Sequence, residues 1–209
     1  MQLLALLKDE AIKRDLLTAE ANIDAATAFY LVRDMPYIRA SSREPETIIQ
    51  EWRGTCSGKH YTLKALFAEL GISSQIMACT AVYEFGFENA HETVQQALDS
   101  THVNFVDVHN YLVLHLPEGD MIVDATFPLL SEPFGATVNK QFVLGENQSI
   151  ACEPLQTWVV PEDGDPQAFK DDLLRANFSE AELAHREAII KLINSLFEQA
   201  SQQTELPES

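Results

Sequence analysis

The apolar positions change spacing along this chain, and each change marks an element. Leu63, Leu66, Phe67 and Leu70 recur at i, i+3, i+4 and i+7, the spacing of one buried helical face. Gly71 follows where a left-handed residue would end that helix. Counting back two turns from Leu63 puts Cys56 in the first turn, on the inward face. Upstream, residues 1–16 read as a short amphipathic helix, and Thr18 reads as the N-cap of a second helix over Ala19–Asp34, ending before Pro36. Pro36, Ser41, Ser42 and Pro45 break the next stretch, and Thr47–Trp52 adds one helical turn.

Strand-forming residues then take over. Ser74–Phe85, Asn104–Leu116 and Met121–Phe127 are rich in β-branched and aromatic residues, and the last two flank Pro117-Glu118-Gly119-Asp120 as a hairpin. A short helix is expected at about Ala90–Asp99, and Gln141–Leu144 and Leu155–Val160 suit short strands in an otherwise irregular stretch. Pro161–Pro166 reads as a linker into one C-terminal helix at about 166–200, with Ser179 and Glu182 making a capping box for its long run to about Ala200. The polar residues 201–209 are expected to be a disordered tail. The pattern predicts one α+β domain over residues 1–200, with a core at about 35–160 and helices packed on an antiparallel sheet.

Charge narrows the classes of partner. With 14 Lys and Arg against 32 Asp and Glu the net charge is −18, which argues against nucleic acid and anionic membrane surfaces. The apolar start (MQLLALL) lacks a preceding basic region and Lys8, Asp9 and Glu10 interrupt it, so it does not read as a signal peptide. Three widely spaced cysteines, Cys56, Cys79 and Cys152, do not form a disulfide framework, and a reducing cytoplasm is the expected location. Six of the cations, Arg33, Arg39, Arg43, Arg53, Lys59 and Lys64, lie close to Cys56 in sequence. They either pair with surplus carboxylates, the favoured reading, or mark where an anionic substrate group binds.

Chemistry concentrates on Cys56. The free N–H groups and dipole of a helix start favour a thiolate, and Gly54 and Gly58 let another backbone or a substrate approach closely. The alternative is a small cysteine filling a core gap. A nucleophilic thiol needs a base, and the base needs an orienting group. His109, early on the first hairpin strand, and Asp124, late on the second, supply them. The register raises a difficulty: a turn centred on Glu118-Gly119 pairs Val113 with Asp124, leaving His109 two pairs further along, beyond hydrogen-bond reach. A bulge, a strong twist or a shifted turn has to close that gap. Otherwise His115, one diagonal from Asp124, is the rival base, as is His60, four residues after Cys56 on one helical face. His91 and His102 read as surface or loop residues, and Asp107 as a turn or edge residue. No C-x-x-C or H-x-x-x-H pair seeds a metal site, and neither a phosphate-cradling glycine loop nor a dinucleotide fingerprint occurs, so no cofactor is expected.

The segments GTCSGKHYTLKALFAELGI and HNYLVLHLPEGDMIVDAT resemble the cysteine helix and the histidine–aspartate strands of the transglutaminase-like superfamily. The likeness covers roughly residues 50–130. It implies a transglutaminase-like, papain-like core with Cys56 as nucleophile, His109 as general base and acid, and Asp124 as orienter. It also implies thiol-mediated acyl transfer or amide hydrolysis on a small-molecule or peptide acyl substrate, with Arg53 and His60 candidates for binding it. A weaker resemblance, through Arg53-Gly54 before Cys56, is to the arylamine N-acetyltransferases. Thr55 stands where animal-type transglutaminases carry glutamine, so calcium-dependent cross-linking is not implied. Hydrolysis, as in a cysteine peptidase or amidase, is the favoured outcome. Transfer to an amine is the alternative, and a non-catalytic binding module is the rival from another class. The C-terminal helix, with Leu183, Ile190, Ile193, Leu196 and Phe197, suits packing on the core or on a second copy in a homo-oligomer.

Overall fold

Four helices precede the sheet, in a computed structural model that describes residues 2–83, 96, 105–134, 136–163 and 165–204. Helix α1 (Leu3–Lys13) begins where the Glu69 carboxylate accepts the Leu3 and Leu4 N–H groups at 2.6 and 3.0 Å. Helix α2 (Ala25–Asp34) starts six residues later than Thr18 predicts, because Asp24 is the working N-cap: its carboxylate accepts the Thr27 N–H at 2.8 Å. Helix α3 is Pro45–Glu51, with proline in its first turn, and Trp52 leaves it in the left-handed region at φ 53°.

Helix α4 (Cys56–Glu69) carries the predicted apolar face, with Leu63, Leu66 and Phe67 fully buried. Gly71, at φ 77°, closes it in a Schellman arrangement: the Ile72 N–H reaches the Phe67 carbonyl and the Gly71 N–H reaches that of Ala68. What approaches Gly58 closely is a side chain of α3, Ile48, rather than the backbone or substrate expected there. A Cβ on Gly58 would lie 2.6 Å from Ile48 Cδ1.

The sheet is antiparallel, in the order β3-β2-β1-β4, from β1 (Ser73–Tyr83), β2 (Phe105–Leu116), β3 (Gly119–Val123) and β4 (Gln156–Val159). The strand expected at Gln141–Leu144 does not form; that stretch is irregular, although Phe142 is buried on Phe29 with ring centroids 5.0 Å apart. The helix expected at about 90–99 falls, Gln96 apart, outside the described residues, as do His91 and His102. One face of β2 sends Val108, Leu112 and Leu114 into the main core with Ile76 of β1, Phe67 of α4, Ile49 of α3, Phe29 of α2 and Leu7 of α1. Each such side chain, removed from water, stabilises the fold by about 1.5–3 kcal/mol.

The single C-terminal helix expected over about 166–200 is instead two helices, α5 (Pro166–Asn177) and α6 (Glu180–Thr204). Phe178, in an extended conformation, separates them, and the capping box then restarts the chain: Ser179 N–H donates to Glu182 at 2.8 Å and Glu182 N–H to Ser179 Oγ at 3.3 Å. Helix α6 continues through residues 201–204, which were expected to be disordered. Its Ile189 and Ile190 pack on Phe105 of β2 within the same chain. The architecture is therefore α+β. Among the described residues, no helix is long and apolar enough to cross a membrane.

Candidate active site

Cys56 is the first residue of α4, with Thr55 at the N-cap, and only 2% of its surface is exposed. The first-turn N–H groups of a helix favour negative charge at that position. His109 lies on β2 close enough for its charge to act on the Cys56 sulfur. The imidazole Nε2 is 2.8 Å from Asp124 Oδ2, which leaves Nδ1 for the thiol.

The register problem is resolved by a shifted turn. The hairpin loop is Pro117-Glu118 alone, with Leu116 opposite Gly119, which takes φ 130°. Leu112 therefore faces Val123, two residues away from the symmetric expectation. That shift brings His109 to one diagonal step from Asp124, within side-chain reach. Asp124 is itself held firmly. Its Oδ2 also accepts the Ala151 N–H at 2.8 Å, its Oδ1 accepts the Thr126 N–H at 3.0 Å, and its backbone N–H donates to Gln148 at 2.9 Å.

The two rival bases are engaged elsewhere. His60 is fully buried; its Nε2 accepts the Ala125 N–H at 2.9 Å, so Nδ1 carries the proton and donates to the Cys56 carbonyl at 2.7 Å. Burial drives its pKa down, against the pull of Asp124, to about 4. It ties the tip of α4 to the end of β3 as a neutral bracket, and neither ring nitrogen is left for substrate. His115 pairs with Asp120 at 2.8 Å on the exposed end of the hairpin. Arg53, the other residue expected to bind substrate, clasps Glu51 through Nε at 2.9 Å and Nη2 at 2.7 Å.

Most of the basic cluster around Cys56 in sequence is also committed to structure. Arg33 donates to the Asn139 and Lys140 carbonyls, and Lys64 to Glu162. Lys59 is wholly buried, donating to the Arg33 carbonyl at 2.8 Å and the Thr126 carbonyl at 3.0 Å, and burial lowers its pKa to about 7.

What sequence reading missed lies in the last two helices. Lys170 of α5 reaches back so that its Nζ is 3.9 Å from Cys56 Sγ, 3.4 Å from Ser57 Oγ and 3.6 Å from Asp107 Oδ1. Asp107, read as a turn or edge residue, is a buried β2 residue on the same face as His109, and Arg186 of α6 grips it at 2.6 and 2.8 Å. Ser57 Oγ donates to Asn110 Oδ1 at 2.8 Å, and Asn110 in turn donates to the Met77 carbonyl at 3.1 Å. A signal existed in the sequence. Arg186 shares a stripe with Ile189, Ile190 and Ile193, so the helical period puts a charge where an apolar residue is expected.

These charges decide the state of the sulfur. Burial pushes the Cys56 thiol up, but Lys170 and then His109 outweigh it, and the thiol settles at about 6, against an ordinary 9.0. Burial works against charge on His109 as well, and the Asp124 carboxylate reverses it, raising the imidazolium well above 6.5. Both shifts favour the thiolate–imidazolium form of the pair. Burial, with the neighbouring Cys56 and Asp107, also keeps the Tyr37 phenol protonated. The remaining cysteines behave differently: Cys79, opposite His109 in the sheet, has its sulfur 3.8 Å from that of Cys152, whose thiol is pushed up by this contact and by burial. Among the described residues no cluster of three or more His, Cys, Asp or Glu side chains is arranged to hold a metal.

Comparison with known proteins returns no match: no family model fits the chain, and neither a curated protein nor a solved structure matches it.

Proposed function

We propose that this protein is a thiol-dependent acyl-transfer enzyme of transglutaminase-like, papain-like character, acting most readily as an amidase or peptidase. One observation carries the reading: the buried His109 imidazole is held by the buried Asp124 carboxylate at 2.8 Å and its charge, with that of Lys170, lowers the pKa of the buried Cys56 thiol. In this reading the Cys56 thiolate attacks a carbonyl carbon, and the displaced electron pair goes to the carbonyl oxygen. The Cys56 backbone N–H at the start of α4 is a candidate donor for that oxyanion. Collapse expels the leaving group, which takes its proton from the His109 imidazolium and leaves a thioester on Cys56. Neutral His109 then takes a proton from water as the water attacks the thioester. The acid departs and the thiolate–imidazolium pair is restored. An amine in place of water would make the same site a transferase.

The test is alkylation of Cys56 by iodoacetamide across pH, followed by mass spectrometry of the trapped acyl-enzyme from a panel of activated amides and esters. The expected result is a Cys56 labelling inflection near 6 that moves to higher pH in His109→Ala, and an acyl mass on Cys56 alone. Labelling no faster than that of the same cysteine in the urea-unfolded chain would overturn the proposal.

A further inference from the structure

Resting on the acyl-transfer reading, we propose that the cleft between the 39–43 segment and helices α5 and α6 binds an oxyanion group, carboxylate or phosphate, of the acyl donor. The cleft holds about 480 Å3, a size suited to a small ligand or a few peptide residues. Arg39, Arg43, Lys170, Arg175 and Arg186 line it against two carboxylates, Asp171 and Glu187. That is a formal +3 on a chain whose net charge is −18, so the positive sign is a local feature set against the field of the whole molecule.

One wall residue links the cleft to the sulfur. Lys170 forms part of its wall and stands 3.9 Å from Cys56 Sγ, and Arg186, also in the wall, holds the Asp107 that Lys170 touches. The cations are unequally committed. Arg186 is locked on Asp107, Arg175 faces Asp172 at 2.7 Å, and Arg39 meets Glu187 only loosely, at 3.6 Å. Arg43, half-buried, has no carboxylate within salt-bridge distance among the described residues; its charge acts on the Tyr61 phenol instead. A half-buried guanidinium with no carboxylate partner among the described residues, in a cleft that shares Lys170 with the surroundings of Cys56, suits a planar or tetrahedral oxyanion. Leu174 and Leu183 add apolar wall for the body of the donor.

The experiment compares two alkylating reagents of the same size, anionic iodoacetate and neutral iodoacetamide, by the ratio of their rates at Cys56 in the full-length protein. The ratio cancels any general change in thiol acidity, and the urea-unfolded chain supplies the reference ratio. The expected ratio is at least about tenfold above that reference. It falls severalfold in Arg43→Glu and is unchanged in Lys64→Glu, a charge reversal of the same sign outside the cleft. Millimolar succinate or inorganic phosphate is expected to protect wild-type Cys56 from iodoacetate. Protection by succinate alone assigns a carboxylate, and protection by phosphate alone assigns a phosphate group. A wild-type ratio equal to the reference, an Arg43→Glu ratio equal to wild type, or protection by neither anion overturns the cleft assignment while leaving the acyl-transfer reading intact. If iodoacetamide labelling itself is neither enhanced nor dependent on His109, the acyl-transfer reading fails, and this proposal fails with it.

Discussion

Replacing Lys170 with methionine removes a positive charge 3.9 Å from the Cys56 sulfur while keeping a side chain of similar length. At the observed 3.9 Å separation, and with an effective dielectric of about 20, the attraction between ammonium and thiolate is about 4 kcal/mol, or about three pKa units. The Cys56 thiol would then rise from about 6 to roughly 9, its ordinary value. The assay is the pH dependence of iodoacetamide labelling at Cys56, read from the peptide by mass spectrometry. The inflection, not the rate at one pH, is the quantity to follow, because a more basic thiolate is also a stronger nucleophile and offsets much of its lower abundance. Lys170→Arg keeps the charge and should keep the inflection near 6. The sign follows from the geometry: the folded thiol ionises early because a cation awaits the anion, so removing the cation moves labelling to higher pH. An inflection still below 7 in folded Lys170→Met would refute the assignment of Lys170 as the group that sets the acidity of the sulfur.

Other substitutions test the remaining contacts. His115→Ala should leave the Cys56 labelling profile unmoved, since its partner is the surface Asp120; a shift of half a unit or more would contradict the assignment of His109. His60→Ala strips a partner from both the buried Cys56 carbonyl and the Ala125 N–H and should cost about 2–5 kcal/mol by urea unfolding, with a wild-type midpoint as the contrary result. Gly58→Ala drives a methyl against Ile48 and should destabilise by about 1–3 kcal/mol, and adding Ile48→Val, which deletes the clashing Cδ1, should restore much of that loss. Ser179→Ala removes the reciprocal cap of α6 and should lower stability by about 1 kcal/mol in thermal melts.

Local chemistry was legible where it was self-contained. The α4 face, its Gly71 stop, the hairpin and the Ser179–Glu182 box all follow from spacing and from residues that act on their neighbours. The start of α2 was misplaced because Thr18 and Asp24 are both good caps, and only packing chooses between them. The His109–Asp124 approach depended on turn length. A loop of two residues and a symmetric four-residue loop differ by one diagonal step, and composition does not separate them. The basic cluster misled because neighbours in sequence were counted as neighbours in space. Arg33 and Lys59 are buried on backbone carbonyls, while Lys170 and Arg186, more than a hundred residues from Cys56, supply the charge around it.

The strand that carries His109 also carries Asp107, two positions earlier, and through it the final pair of helices is stitched to the sulfur. The acidity of the thiol is thus a readout of whether the C-terminal end of the chain is docked. A version cut within residues 161–165 would keep thiol, imidazole and carboxylate in the same order yet hold a sluggish, ordinary sulfhydryl.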